Sequence, residues 1–287
     1  MNKTLLTLLA FLCGLQLSFA QTTSYRIFTK EGEEVHFETL AQAVAKHEVV
    51  FFGELHNNGM AHWLQLQLLK NLHAEKKDLI LSGEFFERDD QLNIDEWFAG
   101  KMTDKNFEAE AKLWNNYALD YKPLMLFAKK NNIPFIGSNI PRKYASLVSR
   151  EGLDALAELS EEAKKYFAPL PIEVDKTLSG YVGMKDMMHG SGMNADFMVE
   201  AQAVKDATMA NSLYPFLEKG KTILHINGSY HSNHYEGIVW YLKRDYPTTK
   251  ILTINTVEQE NLSSLDEKSK PTADFIIVTP IDGPKSY

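Results

Sequence analysis

Short, uninterrupted apolar runs recur along the chain and alternate with segments of helical periodicity. The runs are rich in Val, Ile, Leu and Phe without polar alternation, which is typical of strands buried on both faces of a sheet. Six such runs occupy residues 48–52, 78–81, 133–137, 221–226, 250–254 and 274–278. Because helical segments separate most of them, the pattern predicts right-handed β-α-β crossovers. We therefore expect an α/β fold with a mostly parallel central sheet flanked by helices.

Two connections between these runs are much longer than a single helix requires. Residues 86–131 and 142–196 each have room for several helices of about 11 residues, so they predict a helical cap or insert subdomain. The stretch 168–195, here called the lid segment, is rich in Gly and Met and is expected to be a loop or lid. Beyond it, a helix predicted over 197–217 carries Asp206 among alanines. That pattern indicates either a polar spot facing a site or a solvent-exposed face.

The first 20 residues resemble a signal peptide. A basic start is followed by an apolar run over residues 5–17 and by Ser18-Phe19-Ala20, a small-x-small cleavage pattern. The run is too short to remain as a membrane anchor. Cys13 follows Leu12 rather than a small residue, which argues against lipidation. The sequence thus predicts one exported domain over 21–287, periplasmic or outer-membrane-associated, not lipidated and without a transmembrane anchor after processing.

Charge changes this picture little. The formal net charge is −8 and no long Lys/Arg block occurs. Because nucleic acids and anionic membranes select clustered cations, a nucleic-acid partner is not expected.

Candidate chemistry lies at the predicted strand ends. Glu54 and His56 follow the first run, Glu84 the second, Asn139 the third and His231 the fourth. Ligands bind outside the carboxyl ends of the strands in an open parallel sheet. Two carboxylates and two imidazoles there could hold a divalent metal through Glu54, His56 and His231, or act as an acid/base pair. Each residue alone is an ordinary turn or cap residue; the four together favour function.

Other polar residues leave alternatives open. Arg88 lies one helical turn beyond Glu84 and could pair with it or with an anionic ligand, although a surface salt bridge explains it equally well. His62, on the helix predicted after the first run, is expected at the surface or in a groove.

The lid segment carries side chains that suit a flat apolar cofactor. Tyr181, Met187, Met188 and His189 lie there among glycines. Haem iron accepts His, Met or Tyr as a ligand, so these residues are candidate haem contacts. Adaptable methionine packing is an equally good explanation.

Two strand-end motifs resemble the paired Gly-x-x-His signature of a superfamily that joins Tiki-type proteases, erythromycin esterases and ChaN-like haem-binding proteins. The motifs are Gly53-Glu54-Leu55-His56 and Gly228-Ser229-Tyr230-His231. Three further segments resemble the ChaN-like branch, a family of iron-regulated lipoproteins: residues 83–91, 138–142 and 201–210.

The resemblance implies a role in bacterial haem or iron uptake. It implies haem held through a tyrosine at a homodimer interface, with outer-membrane uptake components as partners. The haem-ligating tyrosine of the family cannot be matched to one position in this sequence. Tyr181 is chosen from the chemistry of the lid segment, while Tyr117, Tyr121 and Tyr230 remain open. The related branches imply an alternative, a metal-dependent hydrolase that uses the Glu54, His56, Glu84 and His231 pocket.

Overall fold

The computed structural model describes residues 24–76, 78–188 and 192–287. Among these residues, eight strands form one sheet in the order β2-β1-β8-β7-β3-β6-β4-β5. The strands are β1 Arg26–Thr29, β2 Glu34–Val35, β3 Val49–Glu54, β4 Leu79–Glu87, β5 Phe135–Asn139, β6 Thr222–Gly228, β7 Ile251–Gln259 and β8 Phe275–Pro280.

The sheet is mostly parallel, as predicted. All pairs from β8 to β5 are parallel, and the antiparallel pairs are those of the amino-terminal hairpin, β1 with β2 and β1 with β8. Each of the six predicted runs is a strand. The register sets Glu54 of β3 beside Gly228 of β6. The carboxyl ends of these central strands therefore meet at one edge.

Helices cover both faces of the sheet. They are α1 Phe37–Val44, α2 Gly59–Glu75, α3 Gln91–Phe98, α4 Asp104–Glu110, α5 Lys122–Lys130, α6 Arg142–Glu151, α7 Glu161–Lys164, α8 Ser179–Met188, α9 Ala195–Leu217 and α10 Ile238–Asp245. Successive residues of β3 point to opposite faces: Phe52 packs in a cluster with Leu68 of α2, and Phe51 in a cluster with Leu213 of α9. Both faces are buried, which explains the absence of polar alternation.

The lid segment differs from the expected loop. It contains helix α8, because Tyr181 packs with Val199 and Ala203 of α9 in a small apolar cluster of its own. The long connections predicted as helical inserts do contain helices, α3 to α5 in the first and α6 to α8 in the second.

Within the described ranges, no helix combines the length and the apolar character needed to cross a membrane. The predicted signal peptide, residues 1–20, lies outside those ranges, so export stays a prediction.

Candidate functional site

The first acid–imidazole group lies at the end of β3. Glu54 is buried, and its Oε1 lies 3.0 Å from Nδ1 of His56 while also accepting a hydrogen bond from the Tyr121 hydroxyl. Its Oε2 accepts a hydrogen bond from Nε2 of Gln65 at 2.5 Å. Because both oxygens have partners, the carboxylate is held rigidly and orients the His56 ring.

His56 is the accessible member of this group. Its side chain is 38% exposed, and its ring meets Trp114 edge-on at a centroid distance of 4.9 Å. Burial alone would lower the pKa of His56, but the hydrogen bond with Glu54 and the negative charge of Glu84 raise it above its ordinary value. His56 therefore presents an accessible imidazole whose protonated form is favoured by these two carboxylates.

The second group places His231 between two buried carboxylates. Its Nε2 lies 3.2 Å from Oε1 of Glu84, and its Nδ1 lies 2.5 Å from Oδ1 of Asp206. Burial opposes the charged ring, but the charges of Glu84 and Asp206 outweigh burial and raise the pKa of His231 to about 10. His231 is thus an imidazolium at neutral pH.

The carboxylates of the second group differ in their surroundings. Burial works against the charge of Glu84, yet the positive charge of His231 and the Gly228 N–H, which donates to Oε2 at 2.7 Å, hold the pKa of Glu84 well below its usual range. Burial raises the pKa of Asp206, and Oδ2 of this residue accepts a hydrogen bond from the Tyr181 hydroxyl at 2.8 Å. One chain of contacts therefore links α8, α9, β4 and β6.

Gly228 separates the two groups. A Cβ atom added there would lie 2.8 Å from Cε1 and Nε2 of His56 and 3.5 Å from Oε2 of Glu84. The site needs glycine at this position because the imidazole occupies the volume of a side chain.

Gly228→Ala is expected to push His56 away from Glu54 and to lower the free energy of unfolding by about 1–3 kcal/mol, as overpacking usually does. The pKa of His56 should fall because the hydrogen bond that raises it is lost. Thermal unfolding and an NMR titration of the His56 ring measure the two effects. Gly59→Ala is the control, since its added Cβ meets its nearest neighbour at 3.4 Å. An unchanged His56 titration in Gly228→Ala would contradict the packing argument.

Both groups line one open cavity of about 670 Å³. Lys205 of α9, Tyr230 and Tyr287 also line it. Among the described residues, Lys205 makes no hydrogen bond or ion pair, and the Tyr230 side chain is 42% exposed. The cavity therefore combines cationic groups with accessible phenols above a buried ionic network.

The four residues predicted from the strand ends are brought together, and Asp206 joins them from α9. Asn139 lies further back, where its Nδ2 donates to the backbone oxygen of Glu84 at 3.2 Å. Arg88 does not pair with Glu84; its guanidinium reaches α9 instead. The bulge between Gly83 and Glu87 interrupts the regular register of β4 there.

The structure does not show the predicted divalent-metal site. Across the described ranges, no group of three or more His, Cys, Asp or Glu side chains is arranged to hold a metal ion. Both nitrogens of His231 face carboxylates, whose charges raise the pKa of His231 and favour its protonated form. A protonated imidazole has no lone pair for a metal.

The predicted haem contacts of the lid segment differ in their accessibility. Tyr181 is 3% exposed and bonded to Asp206, so its hydroxyl is not accessible to a ligand in this structure. Met187 is 69% exposed on α8, whereas Met188 is half-buried. His189 lies outside the described residues.

Sequence patterns missed the residues that hold Glu54. Tyr121 lies in the helical turn Tyr117–Tyr121, and Gln65 lies on α2. His62, expected near the surface, is buried with its Nδ1 3.2 Å from Oε1 of Gln65. The spacing of His62 and Gln65 by three residues on one helix face was the available signal.

Comparisons with known proteins agree with this fold. A family model described as haem-binding uptake, Tiki superfamily, ChaN, matches residues 40–242. ChaN of Campylobacter jejuni, solved with cofacial haem, superposes with a TM-score of 0.66 at 16% identity, over 90% of this chain and 98% of that one.

Two further solved structures share the fold. A succinoglycan biosynthesis protein gives a TM-score of 0.55 at 12% identity, covering 87% of this chain and 91% of its own. A Bacillus cereus protein superposes with a TM-score of 0.53 at 12% sequence identity, over 88% of this chain and 93% of its own. No curated protein sequence matches the chain.

Proposed function

The chain belongs to the ChaN family of haem-binding uptake proteins in the Tiki superfamily, and from that premise we propose that it binds haem at the mouth of the strand-end cavity. The observation that carries this proposal is the cavity lined by Tyr230 and Lys205 above the buried network. The related ChaN of Campylobacter jejuni binds haem cofacially, and a corresponding pair of copies is the arrangement that we propose here.

Tyr230 is the proposed iron ligand. Its phenol lines the cavity at 42% exposure, and its hydroxyl donates a hydrogen bond to the backbone oxygen of Gly180 at 2.5 Å. Tyrosine is an established axial ligand of haem iron. Tyr181 is the ligand predicted from the sequence, but its hydroxyl donates a buried hydrogen bond to Asp206. Iron ligation by Tyr181 would break this bond and leave the buried carboxylate without that donor, which is unfavourable.

The surroundings of Tyr230 suit the remainder of a haem molecule. Val182 and Met187 of α8 are exposed apolar side chains that could cover a porphyrin face. Lys205 and His56 line the same cavity and could meet the two propionates, Lys205 as an ammonium and His56 as a ring whose protonated form its neighbours favour. Haem, when bound, supplies the iron and its apolar macrocycle, while these residues bind and orient it.

The biological role proposed is haem or iron uptake by an exported, non-lipidated protein that works with outer-membrane uptake components. It rests on the family and on the signal peptide predicted over residues 1–20. Secretion of the full-length chain, followed by amino-terminal sequencing of the secreted form, tests the export step.

Titration of the purified protein with haemin tests binding. We expect a saturable change in the Soret absorption at micromolar haemin, with retention of the pigment on gel filtration. A linear, non-saturating change equal to that of an unrelated acidic protein would overturn the proposal. The same gel-filtration run reports whether haemin changes the oligomeric state.

Hydrolysis in the same cavity is the second candidate function. The pairing of His56 with Glu54 at 3.0 Å, beside a cavity of about 670 Å³, is an arrangement for proton transfer. Assay of ester and amide substrates with the wild type and Glu54→Gln tests it, alongside elemental analysis for a divalent metal. Equal rates in both proteins, with no metal retained, would exclude this candidate.

A further inference from the structure

Arg88 is a half-buried cation with neutral partners. Its Nε donates to Oγ of Ser212 at 2.8 Å, and its Nη2 donates to the backbone oxygen of Thr208 at 2.8 Å and to Oδ1 of Asn211 at 2.9 Å. Among the described residues no carboxylate forms an ion pair with it. Burial lowers the pKa of Arg88 to about 10, so it keeps its charge at neutral pH. A charge that is partly removed from water and has no counter-ion is stabilised when an anion binds to it.

This guanidinium lines a cavity of about 460 Å³ between the sheet edge and α9, a volume in the usual range of about 300–1,000 Å³ for small-molecule sites. Three donors there have no hydrogen-bond partner among the described residues: Nη1 of Arg88, Nδ2 of Asn211 and the hydroxyl of Tyr166. None of these atoms is sealed from solvent. They are therefore available to an incoming acceptor.

The other walls define the rest of a ligand. Ile136, Pro215 and Phe216 provide apolar surface. Lys165 and Asp95 also line the cavity, but Nζ of Lys165 forms an ion pair with Oε2 of Glu162 at 2.5 Å, so Arg88 is the cation without an ion-pair partner among the described lining residues. Oδ1 of Asp95 accepts a hydrogen bond from Nε2 of Gln91 at 2.8 Å, which occupies one of its oxygens.

We propose that this cavity binds a small monoanion whose oxyanion contacts Arg88, Asn211 and Tyr166 while an apolar body lies against Phe216 and Ile136. An aryl or alkyl carboxylate has that chemistry. The site is separate from the haem cavity, because the two share no lining residue. If Arg88 served only to connect the end of β4 to α9, the three unpartnered donors would have no role in binding.

Titration with sodium benzoate at constant ionic strength tests the proposal, with inorganic phosphate as the probe that lacks an apolar body. Chemical shifts of the Gly137 and Ser212 amides report binding at the cavity. We expect saturable benzoate binding that is tighter than phosphate binding. Arg88→Gln should weaken it about tenfold or more, since a hydrogen bond to a charged group contributes about 1.5–3 kcal/mol.

Tyr166→Phe keeps the test decisive if Arg88→Gln does not fold. It removes one hydroxyl that has no partner in the described part of the chain, and it should weaken benzoate about two- to tenfold. Arg150→Gln is the matched loss of a surface arginine, 61% exposed, and should leave binding unchanged. Absence of saturable benzoate binding, or equal affinity in wild type, Arg88→Gln and Tyr166→Phe, would overturn the proposal. If phosphate binds with the same affinity as benzoate, the part of the proposal that assigns an apolar body to the ligand is wrong.

Discussion

Replacing His231 with glutamine is expected to lower the free energy of unfolding at neutral pH by about 3–5 kcal/mol, the usual cost of breaking a buried ion network. The substitution leaves Glu84 and Asp206 buried on either side of a neutral amide. Two buried carboxylates without the intervening cation repel each other, so both should bind protons more readily than in the wild type.

The pH dependence identifies the cause. The pKa of His231 is raised from its ordinary value of 6.5 to about 10 in the folded protein. A raised folded-state pKa contributes stability that is fully present below pH 6.5 and is lost as the pH rises towards 10. The wild type should therefore lose stability across this window, and His231→Gln should lack that loss. The difference between the two proteins should shrink towards pH 10.

Urea denaturation at several pH values measures both effects. His234→Gln is the control, because His234 is exposed and lies in the next helical turn, Asn233–Tyr235. A His231→Gln protein that is as stable as the wild type, with the same slope of stability against pH, would show that the ionic network contributes nothing to the fold.

Tyr230→Phe is expected to weaken haemin binding by at least about 100-fold. Loss of residues that merely support metal ligands costs about 10–100-fold in affinity, and loss of a direct ligand should cost at least as much. The substitution removes a hydroxyl at the cavity mouth and its hydrogen bond to Gly180, so the fold should be little affected. Absorption titration gives the affinity, and the position of the Soret band reports the change of ligand.

Two further variants make the assignment specific. Tyr235→Phe is the matched control, because Tyr235 is 38% exposed and does not line the cavity. Tyr181→Phe tests the ligand chosen from the sequence. Weakened binding in Tyr181→Phe with normal binding in Tyr230→Phe would transfer the ligand role to Tyr181 and require α8 to move when haem binds.

The sequence alone determined the mostly parallel α/β fold and the set Glu54, His56, Glu84 and His231. Both follow from local pattern. Strands buried on two faces are continuously apolar, and the carboxyl ends of parallel strands share one edge. The β3–β6 register, with Glu54 beside Gly228, is the outcome of that rule.

Tertiary structure alone decided what those residues do. Their hydrogen-bond and charge partners come from distant parts of the chain: Tyr121, which donates to Glu54, is 67 residues from it, and Asp206, which helps to raise the pKa of His231, is 25 residues from it. The sequence left Asp206 between a site and a solvent face, and the structure places it against Nδ1 of His231. The packing of α9 on the sheet places Asp206 in the site, and the packing of α8 on α9 buries Tyr181. The sequence pattern could not decide either, because the pKa and the accessibility of a side chain depend on its neighbours in space.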